Sequence, residues 1–368
     1  MEKRYNPILG SPNRLKLGVF GLNVSGGCAM TEADGTLQVA WDESVRIARA
    51  AEDAGIEAVV PVARWRGFGG TTNFNHRSFE TLTWAAGLAA ATERIGIFAT
   101  VHVPTLHPVR AAKEIATVDH ISRGRFALNI VAGWNEPEIR MFSVSQREHD
   151  QRYAFADEWT TLVKRLWTED RFDFAGQFFT APGAYSEPKP VQRPWPVIMS
   201  AGNSPAGRDF AARHADLNFA LGPDLPTLSA TCAEVKTLAR ERYGREISVF
   251  TMGYVVCRET EREAQRYRDY YVKEKGDFTA AKNLLETLIP NSQSALGSQF
   301  QAMIENFIAG YSALPLVGTP EQVVDGMCQM ARAGFDGLTL SWVDYDEGIA
   351  QYRDKLRPLL LQAGLRQD

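Results

Sequence analysis

The chain has 368 residues, 45% of them hydrophobic, and a formal net charge of −4. That balance gives neither nucleic acid nor an anionic membrane an electrostatic reason to bind. The start, MEKRYNPILGSPNRLK, lacks the apolar stretch of a signal peptide, no run approaches the length of a membrane helix, and Cys28, Cys232, Cys257 and Cys328 form no C-x-x-C pair. A reducing, cytoplasmic setting is therefore expected, without zinc or dithiol motifs.

Residues 1–15 read as a polar tail. The first strand is expected in Leu17–Val24, a short apolar run closed by Gly26 and Gly27. Val45, Ala48 and Ala51 at helical spacing predict a helix over Trp41–Ala54, stopped by Gly55. Strand two follows in Ala58–Val62, helix two in Ser78–Ala91, strand three in Arg94–Val101, and helix three in Pro108–Ile121 with proline in its first turn. Strand four is expected in Phe126–Ala132. Helix four carries the clearest pattern, with Phe155, Trp159, Leu162, Val163, Leu166 and Trp167 on one face. Next come strand five (Val197–Ala201), helix five (Ala206–His214), strand six (Leu217–Leu221), helix six (Leu228–Arg242), strand seven (Ile247–Cys257), strand eight (Gly337–Trp342) and a last helix from about Glu347 to Leu361.

Alternation of strand and helix implies a parallel sheet, and eight such units in this length imply a closed (β/α)₈ TIM barrel. A doubly wound sheet shows the same alternation and stays as the second reading. One barrel domain is expected over 16–368, with two insertions. Residues 171–196 look like a small hairpin and a proline-rich return. Residues 261–314 exceed what a connection needs, and Phe300, Met303, Ile304 and Phe307 predict extra helices there, serving as a lid or an oligomer contact.

In such a barrel the chemistry sits at the C-terminal ends of the strands. Thr100 and His102 close strand three, and Asn129 lies inside the apolar run of strand four. A buried amide needs a partner, either a polar group on the adjacent strand or a ligand. Trp134, in the loop after strand four, offers a flat wall for a planar ligand or merely packs locally. Arg152 and Tyr153 open helix four, and Ser204 caps helix five behind Gly202. Each reads alone as an ordinary cap, but together the two helix N-termini could hold one phosphate. The loop Arg64–Thr71 is glycine-rich without a G-x-G-x-x-G register, so a Rossmann site is not expected. Gly318–Gln322 is a structural capping box. Among strand ends only strand three supplies a histidine, so no metal site is expected.

These residues resemble the bacterial-luciferase-like flavin monooxygenases. Arg66-Gly-Phe-Gly-Gly70, Gly87-Leu-Ala-Ala90 before Thr92-x-Arg94-Ile95, and Gly133-Trp134-x-x-Pro137-Glu138 are similar to the pyrimidine oxygenases of that family. Asn23-Val-Ser-Gly-Gly27, Glu148-His149-Asp150-x-Arg152-Tyr153 and Lys189-Pro190-x-Gln192-Arg193-Pro194 are similar to its dimethylsulfone monooxygenases. The similarity starts near residue 16 and is weakest over 261–314. It implies a barrel enzyme that uses O₂ and reduced FMN (FMNH₂) delivered by a separate NAD(P)H-dependent flavin reductase, and a homo-oligomer is expected. It implies that Ala63, Arg64, Asn129 and Glu138 contact the flavin, that Arg152, Tyr153 and Ser204 hold its phosphate end, and that Thr100 and Asn129 line the place where O₂ reacts. Val60, Arg64 and Trp134 are expected in the substrate pocket. Arg64 departs from the lysine of the pyrimidine oxygenases, keeping charge but not shape. The expected substrate is small, polar and uncharged, a pyrimidine-like cyclic amide or else a dialkyl sulfone. A deazaflavin-dependent dehydrogenase and a non-catalytic flavin-binding protein remain as other classes.

Overall fold

The computed structural model describes residues 6–289 and 292–367. Eleven strands occur among them: β1 (Lys16–Phe20), β2 (Ala58–Val60), β3 (Gly96–His102), β4 (Phe126–Val131), β5 (Phe172–Ala175), β6 (Thr180–Ala184), β7 (Val197–Ser200), β8 (Leu217–Phe219), β9 (Ser248–Cys257), β10 (Leu314–Gly318) and β11 (Gly337–Ser341). Eight of them close a parallel ring in the order β1-β2-β3-β4-β7-β8-β9-β11, with Leu17 opposite Leu338 at the seam. Closure excludes the doubly wound reading.

Side chains alternate across this sheet, as strand geometry requires. Val60, Phe98, Ala127, Met199, Phe219 and Met252 share the interior cluster, while Val59, Ile97, Leu128, Ile198 and Val249 pack outward with the helices. The helix His149–Thr168 follows the predicted face, since Phe155, Trp159, Leu162, Val163, Leu166 and Trp167 are all buried. Its two core indoles donate to carbonyls of the neighbouring unit, Trp159 to Leu106 at 2.7 Å and Trp167 to Ala112 at 3.0 Å. Burial of those rings therefore leaves no orphan N–H.

Four features differ from the sequence expectation. Strand β1 ends at Phe20 and not Val24, because Gly21 at φ 81° turns the chain out of the sheet. Strand β10 was not expected. It pairs with Gly253–Cys257 of β9 outside the ring, whereas β8 takes Ser248–Phe250. The segment read as a polar tail joins the core at residues 6–10: the Asn6 amide donates to Phe126 O, and Ile8 is 1% exposed. The last helix is interrupted by a π-helical turn over Tyr352–Leu356.

Both insertions take form. β5 and β6 make the antiparallel hairpin. The second insertion folds into helices including Glu261–Asp269, Phe278–Leu288 and Phe300–Gly310, and Tyr271, Leu284, Ile304 and Phe307 join the interior cluster. It grips the loops after β1 and β2. Thr31 donates to Tyr271 O at 2.7 Å, Asp277 accepts from the Thr72 amide and hydroxyl at 2.8 Å each, and Asn283 donates to Phe68 O at 2.8 Å. The insertion thus covers the C-terminal mouth of the barrel. Among the described residues no helix is long and apolar enough to cross a membrane.

Candidate active site

β3 and β4 place Thr100 directly opposite Asn129. Both lie on the interior side, in step with Phe98 and Ala127. The Thr100 hydroxyl donates to Pro61 O at 2.7 Å, and an Asn129 Nδ2 hydrogen points at Thr100 Oγ1 at 3.2 Å. A peptide carbonyl can only accept, so the threonine proton is committed to it and Thr100 Oγ1 must accept from the asparagine. The amide orientation of Asn129 is thereby fixed. One of its N–H bonds and its Oδ1 remain, and Oδ1 is buried without a partner. With its proton on Pro61 O, Thr100 orients Asn129.

The loop after β2 brings Ala63 and Arg64, 7% and 5% exposed, beside this pair. Arg64 Nη1 meets Glu138 Oε1 at 3.1 Å, and its Nη2 donates to the Tyr311 hydroxyl at 3.2 Å. The guanidinium carbon lies 4.8 Å from the Phe68 ring centre and 5.2 Å from that of Trp134. Glu138 Oε1 also accepts the amides of Trp65 at 2.8 Å and Arg66 at 3.0 Å. Glu138 lies in a short helix, Glu136–Met141, where the sequence reading expected only a loop, and its carboxylate thus holds the loop after β2. Arg64 Nε and Glu138 Oε2 are buried without partners. The Trp134 ring is parallel to Phe68 within 11°. Val60 faces the interior, near the stacked pair Phe20–Phe219, whose centres are 5.6 Å apart.

The second group forms at two helix N-termini. Ser204 caps the helix Pro205–His214, accepting the Gly207 amide at 3.1 Å. Tyr153 hydrogen-bonds Ser204, and burial raises the Tyr153 phenol above its ordinary range. A side chain at Gly202 would lie 2.7 Å from Gly207 Cα and 2.9 Å from the Tyr153 hydroxyl, so only glycine permits this approach. Arg152 Nη1 donates to Gly133 O at 2.8 Å, and its Nε is buried without a partner. Tyr153 and Ser204 therefore meet, while the Arg152 guanidinium is held by the segment after β4. Gly133 belongs to the segment that carries Trp134 and Glu138, so residues 132–148 join the two groups.

His102, the last residue of β3, is 4% exposed and its Nδ1 has no partner. Burial pushes its pKa down to about 4, with Arg64 acting in the same sense and Glu138 opposing. A cavity of about 500 Å³ between the helices Thr81–Ala91 and Pro108–Ile121 also touches Ala63, Arg64, Thr100, Val101 and His102, whereas Asn129, Val60, Trp134 and Glu138 do not line it. Tyr311 was missed by the sequence reading. It lies 247 residues from Arg64, at the end of an ordinary amphipathic helix, and no local pattern marks it.

The ensemble suits a flat heteroaromatic group with amide edges and an anionic tail. Unpartnered polar atoms of Asn129 and Arg64 stand at one end, and a cation with a helix N-terminus stands at the other. Comparison with known proteins agrees. A family model for luciferase-like monooxygenases matches residues 15–337. The chain belongs to the luciferase-like monooxygenase family. It is 31% identical to the pyrimidine monooxygenase RutA of Escherichia coli O6:H1, over 94% of this chain and 89% of that one. Among solved structures it is similar to riboflavin lyase RcaE, determined with modified FMN and riboflavin (TM-score 0.86, 22% identity, 96% and 93% of the two chains). It is also similar to DmoA from Hyphomicrobium sulfonivorans (TM-score 0.85, 20% identity, 96% and 90%). This luciferase-like enzyme is a flavin-dependent monooxygenase.

Proposed function

We propose that this monooxygenase takes reduced FMN from a separate NAD(P)H-dependent flavin reductase and, with O₂, oxidises a small uncharged cyclic amide of the pyrimidine type. The observation that carries the substrate class is the charge balance of the pocket. Arg64, the buried cation there, is already neutralised by Glu138 at 3.1 Å, Arg66 is exposed, and burial keeps His102 neutral. A sulfonate or carboxylate beside Arg64 would find no free buried countercharge, since the other cations lining the cavity, Arg110 and Lys113, are exposed, and it would pay a desolvation cost. A neutral amide would instead meet the unpartnered Nε–H of Arg64 and the unpartnered edge of Asn129. The 31% identity to a pyrimidine monooxygenase supports the same class.

For the cofactor, Arg152, Tyr153, Ser204 and the amides opening the helix Pro205–His214 would hold the phosphate. FMN, when bound and reduced, supplies the electrons that activate O₂. The protein does the rest. Thr100 aims the free Asn129 N–H at the position where negative charge develops. Trp134, Phe68, Val60 and the covering insertion keep water away. Ala63 and Arg64 border the ring end, with Glu138 locking their loop. The test supplies the protein with FMN, a reductase, NADH and either uracil, dimethylsulfone or an alkanesulfonate, and follows products by mass spectrometry. Uracil oxidation that requires both reductase and flavin is expected. Consumption of the sulfonate alone overturns the neutral-substrate reading.

A further inference from the structure

His102 has no role in the arrangement above, yet the fold goes to some length to present it. Strand alternation puts it two residues beyond Thr100 on the same side of β3, opposite Val131 of β4. It lines the 500 Å³ cavity together with Arg64 and Thr100. The ring is 4% exposed, and no hydrogen bond satisfies its Nδ1. Polar atoms buried to this degree are nearly always paired. The nearby charges are Glu138 and Arg64, which are paired with each other and leave the imidazole neutral. A neutral imidazole offers one N–H and one bare nitrogen, a poor match for an anion and a good one for a group that both gives and accepts hydrogen bonds.

We propose that His102 is a substrate-binding residue that hydrogen-bonds the polar group of the neutral substrate in this cavity, across from Arg64. The inference rests on the reading of the site as one for a small uncharged molecule. It adds a specificity contact from β3 to those of the β2 loop.

The experiment uses the protein loaded with oxidised FMN, so that no turnover occurs, with ¹⁵N-labelled histidine. Uracil and dimethylsulfone are titrated separately, while ring ¹⁵N resonances and calorimetric affinity are read. In the wild type the His102 ring nitrogens should shift on saturation with uracil. His102→Leu should weaken uracil binding at least tenfold with FMN affinity changed less than twofold, and His102→Gln, which keeps a donor and an acceptor, should recover part of the loss. A shift given by dimethylsulfone but not uracil sustains the role of His102 and overturns the cyclic-amide reading. Ring resonances indifferent to both molecules overturn the inference, as does His102→Leu protein, folded by near-UV circular dichroism, that binds the ligand as tightly as the wild type.

Discussion

Replacing Glu138 by alanine should be among the most damaging single changes in this protein outside the hydrophobic core. Its side chain is 0% exposed and that of its partner Arg64 is 2% exposed. Removing the carboxylate leaves the guanidinium with only the Tyr311 hydroxyl, a neutral acceptor. Breaking a buried ion pair by deleting one member costs about 3–5 kcal/mol. The amides of Trp65 and Arg66 also lose their acceptor, but both residues are exposed and can recruit water, so they add little. Glu138→Ala should therefore lower unfolding stability by about 4 kcal/mol, measured as a shift in urea midpoint by circular dichroism at pH 7. Arg64→Met combined with Glu138→Leu removes both charges and keeps volume, and should recover most of that loss while abolishing activity. A Glu138→Ala loss below about 1 kcal/mol, or a double variant no more stable than the single, would show that the pair is not the clamp described.

Three more outcomes follow from the same geometry. Arg152→Ala and Ser204→Ala should each weaken FMN binding by about 1.5–3 kcal/mol while riboflavin, which lacks the phosphate, is held nearly as before; equal losses for both flavins in fluorescence titrations would move these residues away from the phosphate. Asn129→Ala should divert reducing equivalents to H₂O₂ more than it lowers flavin affinity, and an unchanged ratio of product to NADH consumed would make Asn129 structural. His102 is neutral in the folded protein down to about pH 4, whereas in the unfolded chain it takes a proton near pH 6.5. The unfolded state thus binds the extra proton between those values, so stability should fall on acidification through that window by on the order of 3 kcal/mol. His102→Gln should flatten this part of the stability–pH curve, and an identical slope in wild type and variant would contradict the burial argument.

The barrel was legible because its strands are apolar runs and its helices carry one-sided faces. Trp159 and Trp167 sit where the spacing put them. β10 was not legible, because Leu314–Gly318 is a short run at the end of a helical insertion and pairs outside the ring, where no alternation with helices marks it. The candidate site was partly legible for a physical reason: Thr100, His102 and Asn129 interrupt apolar strands, and such interruptions need partners. The direction of the hydrogen bonds was not. That Thr100 spends its proton on Pro61 depends on how closely the chain turns after β2. The Arg64–Glu138–Tyr311 cluster joins residues 74 and 247 positions apart, so only the folded chain reveals that the cation is neutralised and the insertion braced against it.

The central claim is that the protein inserts oxygen from O₂ into a small neutral molecule at the expense of reduced FMN. The most direct measurement is a single turnover of chemically reduced FMN, protein and uracil under ¹⁸O₂, with the product weighed by mass spectrometry. The account predicts one ¹⁸O atom per product molecule and none when FMN is omitted. Product formed without ¹⁸O, or formed equally well in the absence of O₂, would contradict it and point to hydride transfer on the same barrel.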